Sequence, residues 1–174
     1  STYVPPKGSL DAKYVIVGEQ PGRNEVLHRD LGPFSGPAGK NLQECLHIAG
    51  ILWSDCYRTN VIKDLDHPLD SFIEVRSGKN AKAIVTQMGE RYIEALSSEL
   101  ANTSANVIIA CGNVALWALC SRIGITNWRG SILDSTLLPG RKVIPTIHPA
   151  TWTQEKLYVN PDAYLNKHLV ALDF

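Results

Sequence analysis

The chain has 174 residues, 44% hydrophobic and 20% charged, with 17 basic and 17 acidic side chains in balance. That length and composition predict one globular domain over 1–174 with its own core, and exclude a fibrous, low-complexity or staple-dependent chain. Zero formal net charge excludes a globally basic nucleic-acid binder, so any DNA-facing surface has to be local.

In chain order, 13–17 reads as a first strand, cut off by the turn formers of Gly18-Glu19-Gln20-Pro21-Gly22. After a loop rich in glycine and proline, Ala38, Leu42, Cys45, Leu46 and Ala49 fall on one face of a helix opened by Pro37. Residues 58–62 predict a second strand and 63–82 a polar loop or insert. A helix over 88–100 leads into 106–110, a continuous apolar run of the kind buried on both faces of a parallel sheet. Residues 113–123 are apolar almost all round, which predicts a buried helix. A further strand over 143–147 ends in His148-Pro149, and Asn160 with Pro161 opens a last helix whose face is Leu165, His168, Leu169 and Leu172.

Strand alternating with helix predicts an α/β chain: a three-layer α/β/α sandwich on a central, mostly parallel four-stranded sheet. Ligands of such sheets bind outside the carboxyl ends of the strands, so Glu19 and His148 are expected to face one another there. No apolar run reaches the length of a membrane span and the amino terminus lacks the layout of a signal peptide, which predicts a cytoplasmic protein and no membrane partner.

Other motifs fail on spacing. Gly36-Pro37-Ala38-Gly39-Lys40-Asn41 is not a phosphate loop, because Phe34 stands where the first glycine is required and no Ser or Thr follows Lys40. Gly18 and Gly22 do not make a dinucleotide fingerprint. The histidines His28, His47, His67, His148 and His168 are scattered, which leaves no metal set. Cys45, Cys56, Cys111 and Cys120 show no Cys-x-x-Cys spacing and read as reduced, buried thiols.

Taken together, Gly18-Glu19-Gln20-Pro21-Gly22, Glu25, Gly32-Pro33-Phe34-Ser35-Gly36-Pro37-Ala38-Gly39, Thr59-Asn60-Val61-Ile62-Lys63, Cys111-Gly112-Asn113-Val114-Ala115, Arg129-Gly130 and His148-Pro149-Ala150 follow one order. In that order the chain resembles the uracil-DNA glycosylase superfamily, nearest to its family 4 branch and to glycosylase-like domains associated with some phage DNA polymerases. The resemblance implies a monofunctional enzyme that flips uracil out of DNA and hydrolyses its glycosidic bond in base excision repair. It also implies a partner in uracil-containing DNA, a replication link to a DNA polymerase or another replication protein, and a bacterial or phage-infected host cell. We expect a monomer.

Carried over residue by residue, the resemblance makes Glu19 the carboxylate that handles the attacking water and His148 the donor to uracil O2. A neutral imidazole suffices for that, since one ring nitrogen always carries a proton. Phe34 becomes the stacking ring and Asn60 the reader of the O4 and N3–H edge, an amide able both to donate and to accept. Gln20, Gly22 and Glu25 complete the substrate-binding set. Trp152, Lys63 and Arg129 become DNA-binding positions, with Trp152 the wedge. Each has a plainer reading: Phe34 a core ring, Asn60 a turn former, His148 a structural His-Pro turn, Trp152 a surface tryptophan. Arg58, Lys63, Arg76, Lys79 and Lys82 offer a local phosphate-binding face or, with slightly more weight, a solvated surface.

The chain also departs from the family. The early Cys-x-x-Cys segment is absent, Asp64 follows Lys63, and no cysteine stands near Gln87. The iron–sulfur cluster usual in family 4 is therefore predicted absent, and no cofactor is expected. The loop from Gly22 to Phe34 is slightly longer than the family pattern, and Val26 stands where an acidic residue often follows Glu25. The basic loop over 76–80 lacks the histidine of covalent-trapping relatives, so permanent crosslinking to uracil is not expected. A second reading remains beside the enzyme: an inactive glycosylase-like module that binds DNA or a replication partner in a phage replication system.

Overall fold

A computed structural model of the chain describes residues 1–151; the expected last helix and Trp152 lie outside the described residues. Four parallel strands form the sheet: β1 (Tyr14–Gly18), β2 (Cys56–Asn60), β5 (Val107–Cys111) and β7 (Lys142–Thr146). A two-residue strand, β6 (Leu133–Asp134), adds antiparallel at the edge of β7, and the order is β2-β1-β5-β7-β6. The central sheet thus has five strands rather than the expected four. The expectation missed β6, which is too short to show a period of two.

Strand alternation divides the core into two layers. Tyr14 and Ile16 of β1, with Val107, Ile109 and Cys111 of β5, face the helix α2 (Pro37–Ile48) and pack on Leu42, Cys45 and Leu46. Val15, Val17, Ile108 and Ala110 face the opposite way. They meet Leu96 and Leu100 of α3 (Gln87–Ala101) and Ala115, Leu116 and Leu119 of α4 (Asn113–Cys120). Helices on both faces of a mostly parallel sheet make the three-layer sandwich, and the near-continuous apolar strands follow from that double burial.

Local chemistry sets the element ends. The buried helix predicted over 113–123 stops at Cys120 because Ser121 takes a left-handed conformation, φ 55°. Beyond it, Ser135 Oγ donates to the Leu119 carbonyl at 2.8 Å. The second strand begins two residues earlier than predicted, since Cys56 and Tyr57 pair with Tyr14 and Val15. Past its end, the N–H groups of Val61 and Ile62 donate to the carbonyls of Gly18 and Glu19, so the loops after β1 and β2 stay joined.

The stretch 63–82, expected as loop or insert, contains β3 (Ile73–Arg76) and the first residue of β4 (Lys82–Val85), an antiparallel hairpin. Four-residue strands carrying charge give no clear alternation, yet Phe72 and Ile73 are buried in the layer that holds α4. Two short helices were also absent from the prediction, α1 (Arg23–Leu27) and α5 (Ile125–Trp128). Lys7 and Arg58 exchange two backbone hydrogen bonds, which covers the outer edge of β2.

No helix among the described residues is long and apolar enough to cross a membrane. Leu116 is fully buried between α4 and the sheet. Leu116→Ala is expected to lower unfolding stability by about 2–5 kcal/mol, the range for a buried leucine that leaves a cavity. Urea denaturation checks this, and Ile48→Ala on the exposed side of α2 serves as a near-neutral control.

Candidate functional site

The chain leaves β1 for β2 on one side and later crosses to β5 on the other, so β1 stands where the winding reverses. Parallel sheets open a crevice at that point, at the carboxyl ends of the strands. The sheet order sets Asn60, Gly18-Glu19, Gly112 and Thr146 side by side along this edge. Gly112 N–H donates to the Thr146 carbonyl at 2.9 Å, which joins the β5 end to the turn carrying His148.

Gly18 is the point of closest packing. A Cβ built there would lie 2.4 Å from Asn60 Oδ1 and 2.7 Å from Phe34 Cζ, so the missing side chain is what admits the amide and the ring together. Phe34 has φ 63°, a left-handed conformation that a bulky residue adopts only when its surroundings impose it. Those surroundings include Gly39, whose Cβ would sit 1.5 Å from the Phe34 carbonyl oxygen. Arg58 adds a second support, with Nε donating to the Pro33 carbonyl at 3.2 Å and the guanidinium lying over the Trp53 ring. Phe34 is 8% exposed and Asn60 5%.

Glu19 lies half-buried at the start of α4. Its Oε2 accepts the Val114 N–H at 2.9 Å, one of the helix-start donors that have no partner within the helix. Burial pushes the Glu19 carboxyl above its ordinary range, and the bond from Val114 opposes that rise. His148 is held by its own turn: the Ala150 N–H donates to Nδ1 at 3.1 Å, so a neutral ring carries its proton on Nε2. Burial lowers the imidazole pKa and keeps that neutral form. Asn41 of α2 steadies the same turn through Nδ2 to the Pro149 carbonyl, 3.2 Å.

A cavity of about 410 Å³ opens at the His148 turn, walled by Gln20, Gly22, Arg23, Asn24, Glu25, Pro37, Ala38, Asn41, His148 and Ala150; Glu19, Phe34 and Asn60 are not among its walls. Gln20 and Glu25 meet it, but their hydrogen bonds brace loops. Gln20 Nε2 donates to the carbonyls of Asp64 and His67 at 3.0 and 2.9 Å. Glu25 Oε1 accepts the Gly22 N–H at 2.9 Å, so that amide serves the loop and is not offered to a ligand.

Two basic positions require correction. Lys63 is 6% exposed, with its ammonium 2.7 Å from Glu99 Oε1, and so does not reach a phosphate. Arg58 is likewise turned inward, whereas Lys79 and Lys82 are exposed and Arg76 pairs with Glu74 at the surface. Arg129 is half-buried at the carboxyl end of α5, where the next residue, Gly130, donates its N–H to the Pro145 carbonyl. Trp152 lies outside the described residues. Sequence reasoning missed Asn41, although a polar residue beside the apolar stripe of Ala38, Leu42 and Cys45 was a usable signal.

The four cysteines do not form a ligand set. Cys45, Cys56 and Cys111 belong to the layer under α2 and Cys120 to the opposite one, and all four are buried and outside any disulfide. Burial pushes the Cys56 thiol up to about 12 and the Cys120 thiol up to about 11. No group of three or more His, Cys, Asp or Glu side chains among the described residues is placed to hold a metal ion. These residues do not fit an iron–sulfur group.

Because the Glu19 pKa is raised in the fold, its contribution to stability is complete below the carboxyl pKa of the unfolded chain and is lost as pH rises through the folded value. Glu19→Gln keeps an acceptor for Val114 and removes the charge. It is expected to raise the melting temperature at neutral pH by about 2–4 °C, the shift of about 1 kcal/mol in a chain this size. Calorimetry should find the difference gone below about pH 4, where both forms are neutral. An equal difference at both pH values refutes the desolvation account.

The sequence matches the family described as the uracil DNA glycosylase superfamily over residues 5–170. It is 32% identical over 146 residues to a type-4 uracil-DNA glycosylase of Thermotoga maritima, covering 83% of this chain and 68% of that protein. A type-4 uracil-DNA glycosylase of Archaeoglobus fulgidus is 48% identical over 63 residues, 36% of this chain and 31% of that one. A DNA polymerase of Bacillus phage SP01 is 29% identical over 153 residues, covering 87% of this chain and 15% of the polymerase. With the site at the carboxyl edge of a parallel sheet and a match spanning nearly the whole sequence, this chain belongs to the uracil DNA glycosylase superfamily.

Proposed function

We propose that the chain removes uracil from DNA by hydrolysing the bond between N1 of the base and C1′ of the deoxyribose. The observation that carries this reading is the fixed state of His148. The bond from Ala150 to Nδ1 leaves Nε2–H as a donor beside the cavity. That donor suits the charge that develops on uracil O2, since fixed donors aimed at a developing anion supply much of the stabilisation in such reactions.

The other groups take complementary parts. The flipped base lies against Phe34, and the Asn60 amide meets its O4 and N3–H, a pattern that cytosine does not offer. As the C1′–N1 bond breaks, its electron pair leaves with uracil and the sugar becomes electron-poor. Water attacks C1′ and transfers a proton to the Glu19 carboxylate, whose Oε2 is fixed by Val114. Burial raises the proton affinity of that carboxylate, which suits a base. Arg129, Lys79 and Lys82 are the basic positions we assign to the DNA backbone.

The match to the phage polymerase favours a second reading, a glycosylase-like module that binds DNA or a replication partner without cleaving it. An oligonucleotide bearing one uracil, single-stranded and duplex, decides between them after alkali treatment. The enzyme reading expects cleavage at uracil, reduced by about 10²–10³ in Asn60→Ala and His148→Ala, the loss typical of removing one such donor. DNA binding without excision by the wild type favours the module.

We also propose that the reaction needs no iron–sulfur cluster. Purified protein is expected to contain no bound iron, to lack the broad visible absorption of a cluster, and to keep its activity after dialysis against a chelator. Bound iron that disappears together with activity overturns this.

A further inference from the structure

The mechanism leaves one buried charge without a task. Lys63 follows Asn60 by three residues, and its side chain folds back over that turn. Its Nζ donates to the Asn60 carbonyl at 2.6 Å and to Thr59 Oγ1 at 2.9 Å, and it stands 2.7 Å from Glu99 Oε1. The ammonium thus makes two hydrogen bonds within its own turn and an ion pair with Glu99. Glu99, on α3, is held in turn by Tyr57, whose Oη donates to Oε2 at 2.8 Å.

Stability alone gives no reason for such a pair. Two charges taken out of water lose hydration that their attraction only partly replaces, and apolar side chains of similar volume would hold α3 on the sheet equally well. What apolar groups could not supply is the hydrogen bond to the Asn60 carbonyl. On the far side of the same peptide, the Val61 N–H donates to the Gly18 carbonyl. The 60–61 peptide is therefore gripped at both its oxygen and its nitrogen, while Asn60 Oδ1 rests against Gly18.

We propose that Lys63, anchored by Glu99 and Tyr57, is a positioning residue that fixes the Asn60 amide for reading the edge of the base. It touches no substrate and acts through the backbone of Asn60. This rests on the glycosylase reading, in which Asn60 meets uracil.

The test compares wild type with Lys63→Met/Glu99→Gln and Lys63→Gln/Glu99→Gln in the full chain. Both double variants remove both charges and keep an acceptor for Tyr57. The readouts are melting temperature, single-turnover excision from a uracil oligonucleotide, affinity for the same oligonucleotide with thymine, and the ¹⁵N resonances of the Asn60 side-chain amide. The Met variant is expected to melt near wild type and to bind thymine DNA equally. Its excision rate should fall by about 10- to 100-fold, the scale set by a small misplacement of a site group. The Gln variant, which restores a donor within reach of the Asn60 carbonyl, should recover much of that loss. The Asn60 resonances should shift in the Met variant.

Wild-type rates together with unmoved Asn60 resonances in the Met variant overturn the proposal and leave the pair a strut between α3 and the sheet. If wild type does not excise uracil, the glycosylase reading fails by itself, and the Asn60 resonances still decide whether Lys63 sets the amide. If the Met variant does not fold, Glu99→Gln alone takes its place: shifted Asn60 resonances at an unchanged melting temperature support the proposal, and unshifted ones overturn it.

Discussion

A hydrogen atom at one Cα governs this site. With no side chain at Gly18, the end of β1 admits the Asn60 amide from the neighbouring strand and the Phe34 ring from the following loop within a space that one methyl group would fill. The surrounding features serve that contact. Phe34 reaches it only through a left-handed backbone, and that backbone requires Gly39 beneath its carbonyl. Asn60 reaches it because β2 pairs in register with β1, Gly18 opposite Asn60. Sites of this kind carry local strain that the rest of the fold must overcome.

The carboxyl edge of the sheet then assigns the remaining chemistry by strand. β1 brings a carboxylate, β2 an amide, β5 the helix start that holds the carboxylate, and β7 the imidazole. Burial shifts both ionisable groups in the direction that disfavours charge. The Glu19 carboxyl pKa is raised above its ordinary range and the His148 imidazole pKa lowered below its own, and neither shift needs a neighbouring charge as its main cause. The site is tuned mainly by exclusion of water, in keeping with a chain whose net charge is zero.

Much of this was legible in the sequence, for a physical reason. The strands of the parallel sheet are buried on both faces, so 106–110 and 143–147 stood out as unbroken apolar runs, and the α2 stripe of Leu42, Cys45 and Leu46 follows helical spacing. The hairpin β3–β4 and the edge strand β6 were not legible, because strands of two to four residues carry too few positions to show a period. Residue roles were harder. Lys63 and Arg58 look like surface cations in a list of residues, and only folding shows that one closes on Glu99 and the other on Trp53 and Pro33. Gly22 and Glu25 were read as ligand groups and both line the cavity, but Glu25 Oε1 takes the Gly22 N–H, as an acidic residue three positions into a helix commonly does.

The four cysteines carry a consequence of another sort. Two halves of the core each hold at least one thiol that is buried, unpaired in any disulfide and, at Cys56 and Cys120, strongly disfavoured as a thiolate. Alkylating reagents attack the thiolate and need access to it, so in the folded chain they must wait for an opening event. The order in which Cys45, Cys56, Cys111 and Cys120 become labelled would therefore map which layer of the sandwich parts first. The protein contains its own set of clocks for local unfolding, placed on both sides of the sheet without any engineered probe.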